Sequence, residues 1–498
     1  MSHWEINTPL SVTNDSTSRY DKTEYQLPQL VKANDKQFRA EIKEAGSYFL
    51  LSETYLQVEF KVYKDANGTV LTESDGVSLD TPWSMFTDMK LKMNSKSMSA
   101  VNRPGTIAIM SQVPQASTDF QRSIQSSAHF YPLLALDCRG GGGADGTTNI
   151  APVKLPSLIG NVDASNTSHP DYDFDTANIM WFPENDKRAK VQYEFTTAAN
   201  SDVAIFTGKM RPNPLYDENF VRSVNTMTGG KTVSAMLPLR EIFPMLAQAF
   251  SVVNRGANLE LTWQVLSDNE LRNAFFINGV DIPELTVAWQ KVSLWTVRMT
   301  PSLATEAKLS NVFSNNGEIT RVFEEPDVVV DENIPANITR RRIQVKSLAS
   351  KPVRCIVGFR YSGNAASKLR HSHQFEPLNL SHLYMRVNGN EYPTDRYELN
   401  DHPTRVLGDL HKLALASDDY TDGSLVNFEN WLSGPCRLYG IDLSQIADDV
   451  FKEKNVSDIE VHYSLSSAPV RAYDVVVLTV YERSLKIKLT GQEMVISL

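Results

Sequence analysis

The sequence predicts an all-β protein made of two fused eight-stranded jelly rolls, with short connecting helices and a long loop insertion in the first roll. Three observations lead there. Short segments alternate apolar and polar residues with the two-residue period of half-buried strands. The second half of the chain repeats the landmarks of the first. Long connections, rather than only tight hairpins, join successive strand candidates, which is the pattern of a sandwich and not of a simple meander.

The alternation starts at Phe38, Ala40 and Ile42, continues through Tyr48 to Leu51 and is strongest at Leu56, Val58, Phe60 and Val62. Its counterpart in the second half is Val353, Cys355, Val357 and Phe359. Met89, Leu91 and Met93 then lead into Asn94, and Leu383, Met385 and Val387 lead into Asn388-Gly389, residues suited to a tight turn. Three residues past Pro104, Ile107 opens a helical patch; three residues past Pro403, Val406 opens another that runs through Leu407, Leu410 and Leu413. The halves also end alike. Leu239, Ile242, Phe243 and Leu246 share their helical spacing with Leu443, Ile446, Ala447 and Val450. A strand follows each helix, at Leu259, Leu261, Trp263 and Val265 and at Ile459, Val461, Tyr463 and Leu465. Both halves close on a long β run, Leu285 to Val297 and Tyr473 to Leu489, with a bulge expected at Gln290-Lys291 and at Glu482-Arg483.

The expected organisation is an N-terminal arm over residues 1–36, a first jelly roll over 37–302 and a second over 303–498. The arm is polar and lacks a usable period. The first roll carries an insertion over about 115–190, containing Gly140 to Gly143 and a polar run from Asp163 to Asp175. The glycine run lacks the Lys-Ser/Thr pair and the strand-to-helix setting of a phosphate cradle, so it reads as a flexible loop.

Composition narrows the function. With 498 residues, 41% hydrophobic and 22% charged, the chain is ordinary for a soluble protein, and its net charge of −10 argues against sequence-specific binding to nucleic acid. Cys138, Cys355 and Cys436 are widely spaced, and the first residues lack a secretory pattern, so a reducing compartment is expected. No apolar run approaches the ~20 residues of a spanning helix.

The search for chemistry finds little. No GxSxG elbow and no HExxH occurs. His371-Ser372-His373 with His382 nearby offers a weak metal pair, read as surface histidines because no third ligand stands at a recognisable spacing. Glu324-Glu325 and Asp448-Asp449 are adjacent in sequence and point apart on a strand or helix, so they read as solvated charge. The reading therefore assigns no catalytic residue, cofactor or metal. Two charge clusters remain open. Glu324, Glu325, Asp327, Asp331 and Glu332, followed by Arg340, Arg341 and Arg342, can be guarded strand edges, a subunit interface or a face toward packaged nucleic acid.

These segments resemble a known family. The helices at LPLREIF and GIDLSQI, the turns after MKLKMN and MRVNG, and the opening RAEIKEAGSYFLLSETYLQVEFKVYKDANGTVL followed by WSMFTDMKLKMN are similar to double jelly-roll major capsid proteins. That lineage includes adenovirus hexons and the capsid proteins of polinton and adintovirus-type elements. The chain departs from hexons in lacking very large tower insertions. The resemblance implies a non-enzymatic structural protein: a homotrimeric, pseudo-hexameric capsomer of an icosahedral DNA virus or related element, assembled in host cytoplasm or nucleus. Its partners would be its own copies, penton and minor capsid proteins, and a host receptor reached through outer loops. Two rival readings are a carbohydrate- or receptor-binding jelly-roll protein using loop-tip aromatics such as Trp431 or Tyr420, and a two-jelly-roll metalloenzyme using the histidine pair.

Overall fold

A computed structural model describes Thr17–Gln26 and most of the chain from Gln37 onward. Outside the described residues lie 1–16, 27–36, 44–47, 117–124, most of 133–217, 250–257, 363–372, 399–402, 415–423, 427–436 apart from Trp431, 445–457 and a few shorter stretches. Most of the insertion at about 115–190 and the glycine run fall there, as do Cys138, Tyr420, Cys436, Ile446, Ala447, Asp448-Asp449 and Val450.

The first sandwich contains β1 (Thr17–Gln26), β2 (Gln37–Lys43), β3 (Tyr48–Tyr63), β4 (Phe86–Met93), β5 (Lys96–Asn102), β6 (Val233–Pro238), β7 (Asn258–Val265) and β8 (Thr286–Pro301). Its sheets have the orders β1-β8-β3-β6 and β2-β7-β4-β5. Every pairing is antiparallel. The chain therefore crosses from one sheet to the other at nearly every connection, which is the winding of a jelly roll.

The second sandwich repeats it. Its strands are β9 (Glu318–Ile334), β10 (Arg340–Val345), β11 (Lys351–Tyr361), β12 (Leu380–Val387), β13 (Asn390–Glu398), β14 (Leu438–Asp442), β15 (Ile459–Leu465) and β16 (Tyr473–Thr490). The orders are β9-β16-β11-β14 and β10-β15-β12-β13, the first sandwich with each label raised by eight. A last strand, β17 (Glu493–Ser497), pairs with the end of β16.

The repetition reaches single hydrogen bonds. Asn94 opens the β4–β5 turn with φ 49°, donates its N–H to the Asn258 carbonyl at 2.8 Å and accepts the Asn258 N–H on its side-chain oxygen at 2.8 Å. Asn388 opens the β12–β13 turn with φ 48° and makes the same pair of bonds to Asp458, at 2.9 and 3.0 Å. Asparagine tolerates the left-handed conformation these turns require, and its amide ties the turn to the start of the neighbouring strand. Gly389, at φ 90°, supplies the second left-handed position.

Four helices connect strands of the two sandwiches, and the first two bear on the site below. α1 (Pro104–Gln115) and α4 (Pro403–Ala414) start on the two prolines, whose missing N–H costs nothing in a first turn. Between them lie α2 (Met245–Gln248) and α3 (Leu303–Asn316). The spacing of Leu239, Ile242, Phe243 and Leu246 suggested one helix; the segment is a 3-10 turn at Leu239–Glu241 followed by α2, and all four side chains are buried. Pro244 stands between the two pieces and prevents a continuous helix. α3, which joins β8 to β9, was not anticipated.

Several other expectations need correction. The arm over 1–36 contains β1, an edge strand whose Tyr20 pairs with Met299 and whose Gln26 pairs with Ser293. Its sequence, TSRYDKTEYQ, is polar on both faces and carries no hydrophobic period. Backbone pairing to β8 and the 2.6 Å Glu24–Lys291 ion pair hold it. β2 and β3, whose alternating stretches follow one another closely enough to read as a strand pair, lie in opposite sheets instead. The bulge at Gln290 is present, but in the second sandwich the irregularity falls on the partner strand, between Pro352 and Arg354.

The apolar core is continuous through both sandwiches. Trp263 stacks on Phe38 with centroids 5.6 Å apart, and Phe359 meets Tyr463 edge-on at 5.1 Å. Cys355 sits in this core, where burial pushes its thiol up to about 12 and leaves it inert as a nucleophile at neutral pH.

Candidate functional site: the seam between the two sandwiches

The polar chemistry of the described residues gathers where the two sandwiches meet. β5, α1 and α2 of the first face β9 of the second. At the centre, Ser99 of β5 donates its hydroxyl to the Glu325 carboxylate at 2.8 Å, and Arg483 of β16 pairs with the other oxygen of the same group. Glu325 is only 5% exposed. A buried carboxylate is tolerable when its lone pairs are taken by a cation and further donors, as here.

A second contact lies at the start of α1. Arg103 occupies the N-cap position at φ 54° and pairs with Glu332 at 2.6 Å, both ends half exposed. Beside it, His373 of the second sandwich is buried against the first. Its Nδ1 is bonded to Asp80, and its Nε2 lies 3.2 Å from the Thr106 hydroxyl. Asp80 also accepts the Thr81 N–H at 2.7 Å and the Ser84 hydroxyl at 2.9 Å. These groups border an open cleft of about 950 Å³.

On the α2 side, a smaller cavity of about 380 Å³ lies between the sandwiches. Gln248 of α2 accepts the Glu324 N–H across it at 2.7 Å, while the Glu324 carboxylate pairs with Arg354 at 2.5 Å. Glu241 lines the same cavity and accepts the Trp83 indole N–H at 3.1 Å. Burial pushes the Glu241 carboxyl up to about 7, outweighing the opposing pull of the indole and of Arg240. His129 is perturbed the other way. Burial holds its imidazole down at about 3, with Asp80 opposing, and its Nε2 has no hydrogen-bond partner among the described residues.

These two groups give opposite pH slopes. Folded Glu241 keeps its proton from 4.5 up to about 7, where the unfolded carboxyl has lost it, so stability falls as pH rises through that window. Unfolded His129 gains a proton below 6.5, which the folded imidazole does not take until about 3, so stability falls as pH drops through that window. The full swings are about 3 and about 5 kcal/mol, the former an upper figure because Glu241 keeps some contact with water. From 4.5 to 6.5 they offset each other. Glu241→Gln should abolish the loss of thermal stability on the alkaline side and expose an acid-induced loss that begins near 6.5. A melting-temperature profile against pH that is unchanged in the variant would refute the assignment.

Most of the charge-cluster residues are paired within the chain, and three of them, Glu324, Glu325 and Glu332, lie at the seam. Glu324 and Glu325, expected as solvated, are paired inside the chain, and Glu325 is buried. Asp331 binds Arg341 through two bonds of 2.6 and 2.9 Å, and Arg342 lies 3.3 Å from Glu460. Arg340 is exposed on β10, and Asp327 of β9 lies near Tyr481 of β16. The histidine expectation also changes: His373 is a buried seam residue, His382 is exposed on β12, and His371 lies outside the described residues. Among the described residues no group of three or more His, Cys, Asp or Glu could hold a metal ion. Trp431, proposed as a loop-tip aromatic, is fully buried; its indole donates to the Leu438 carbonyl at 2.6 Å under the Arg437 guanidinium, 3.7 Å from the ring centre. Asp80, Thr106, His129 and Glu241 were not singled out. Each lies in a mixed stretch of polar and apolar residues, and no local pattern distinguishes it.

No family model matches the sequence, and no curated protein matches it. Solved structures do. A chain of the Sputnik virophage, from its cryo-EM structure, aligns over 99% of this chain and 91% of its own with a TM-score of 0.54 at 11% identity. The Faustovirus major capsid protein aligns over 97% and 93% with a TM-score of 0.46 at 9% identity, and the mavirus major capsid protein over 99% and 92% with a TM-score of 0.42 at 11% identity. Among the described residues no helix is long and apolar enough to cross a membrane. The sheet orders and the virophage alignment agree: this chain has a double jelly-roll fold, two eight-stranded sandwiches joined in one polypeptide and shared over nearly its whole length with a Sputnik virophage chain.

Proposed function

We propose that the chain is the major capsid protein of an icosahedral DNA virus or virus-like element, and that three copies form a pseudo-hexameric capsomer. The observation that carries this reading is the asymmetry of the seam. β5 and α1 of the first sandwich meet β9 of the second, whereas among the described residues the equivalent elements at the far sides, β13 and β1, make no comparable contact with the other sandwich. A contact between unlike surfaces of two similar units can be repeated from copy to copy, and it closes into a ring when the rotation allows. Three chains would supply six sandwiches to such a ring. Further support comes from the fold held in common with a virophage chain and from the resemblance of the opening strands to polinton and adintovirus-type capsid proteins.

The remaining roles follow as parts of the same reading. Arg340, Arg342 and Asp327 are the charges of these clusters that we assign to contacts between copies, because Arg340 and Arg342 are exposed on β10 and Asp327 is partly exposed on β9. Penton and minor capsid proteins would meet the assembled capsomers, the insertion at about 115–190 would face outward toward a receptor, and assembly would take place in host cytoplasm or nucleus. The role is structural rather than enzymatic. Sedimentation velocity of the purified chain at near-neutral pH and low salt should show a trimer, and electron microscopy should show threefold particles with six lobes. A monomer under all such conditions, with no particles, would overturn the proposal.

A further inference from the structure

We propose that Glu241 is a proton-operated latch on the seam, which holds the two sandwiches together at the α2 side when protonated and loosens them there when ionised. The geometry is that of a cavity with one wall from each sandwich. Gln112 of α1, Glu241 of the 3-10 turn and Gln248 of α2 stand on the first wall; Glu324 of β9, Arg354 of β11 and Val480 of β16 stand on the second. The charged groups on this cavity are Arg240 beside Glu241 on its own turn and the Glu324–Arg354 pair opposite. α1 contributes only neutral side chains to it, and the Trp83 indole of the turn at Pro82–Met85 reaches Glu241 from the buried side.

With Glu241 neutral, the cavity holds one carboxylate, Glu324, already matched by Arg354, and the Glu324 N–H closes the seam on Gln248. Loss of the proton adds a second carboxylate to a poorly hydrated space. Burial is what holds Glu241 off its charged form, so once the proton is lost a local opening of the cavity that lets water reach the carboxylate is favoured, and the Glu324 amide that bridges the cavity is released with it. Burial already sets Glu241 to exchange its proton near neutrality, so modest changes of pH move the latch. The inference concerns a single chain and does not require the capsid reading.

Hydrogen–deuterium exchange of the full chain tests it, read at the Glu324 amide by fragmentation mass spectrometry and corrected for the intrinsic pH dependence of exchange. Protection at Glu324 should fall about tenfold between about pH 6 and pH 8 in the wild-type chain, as local opening becomes easier. In Glu241→Gln it should stay level. Glu241→Met, which removes the titrating carboxyl at similar volume, gives a second reading should the first variant fold poorly, and its response should shrink to less than about half. Level protection in the wild-type chain, or an undiminished response in either variant, would overturn the proposal.

Discussion

Gly105→Ala should destabilise the chain by about 3 kcal/mol or more, and Gly105→Val should leave little folded protein. A β-carbon at Gly105 would stand 2.5 Å from the Ser84 α-carbon and 2.7 Å from its nitrogen. Those are backbone atoms, so no rotamer change relieves the overlap; α1 or the turn at Pro82–Met85 must move. Both lie in the core, and Ser84 also donates to Asp80, the residue that holds His373 at the seam. The substitution should therefore weaken the contact between sandwiches as well as the first sandwich. Urea unfolding measures the effect, and a loss below about 1 kcal/mol would mean that the helix can shift at little cost.

Glu325→Ala is expected to cost about 2–4 kcal/mol, more than an exposed ion pair would. The reason is what remains. Arg483, whose side chain is 24% exposed, would face the seam without its carboxylate, and the Ser99 hydroxyl would lose its acceptor. Replacing both members, as Glu325→Leu with Arg483→Met, should recover much of the loss, because the desolvation of the two charges disappears together. A double-mutant cycle by urea unfolding separates the outcomes: additive losses would show that the two side chains are not coupled.

The strands were legible because most bury one face and expose the other. Leu56, Val58, Phe60 and Val62 show the period directly, and so do Leu383, Met385 and Val387, all of them buried. β1 escaped the same reading since an edge strand can rest on its ladder and an ion pair without an apolar stripe. The helix at Leu239 to Leu246 showed the right buried residues but not the break at Pro244. For the seam, local spacing gave no guide: Asp80 and His373, or Ser99 and Glu325, are separated by hundreds of residues and meet only after both sandwiches have formed.

The sequence by itself determined the all-β class, the duplication and the two prolines and asparagines that start helices and turns, because each depends on residues near one another along the chain. The tertiary structure alone decided which sandwich edges face each other and which charges become buried. Glu324 and Glu325 illustrate the division. Adjacent on β9, they read alike as solvated acids, yet one closes the cavity beside Glu241 and the other is buried at the centre of the seam. Burial is a property of the assembled fold, and burial is what turns an ordinary carboxylate into a structural bond or a proton-sensitive group.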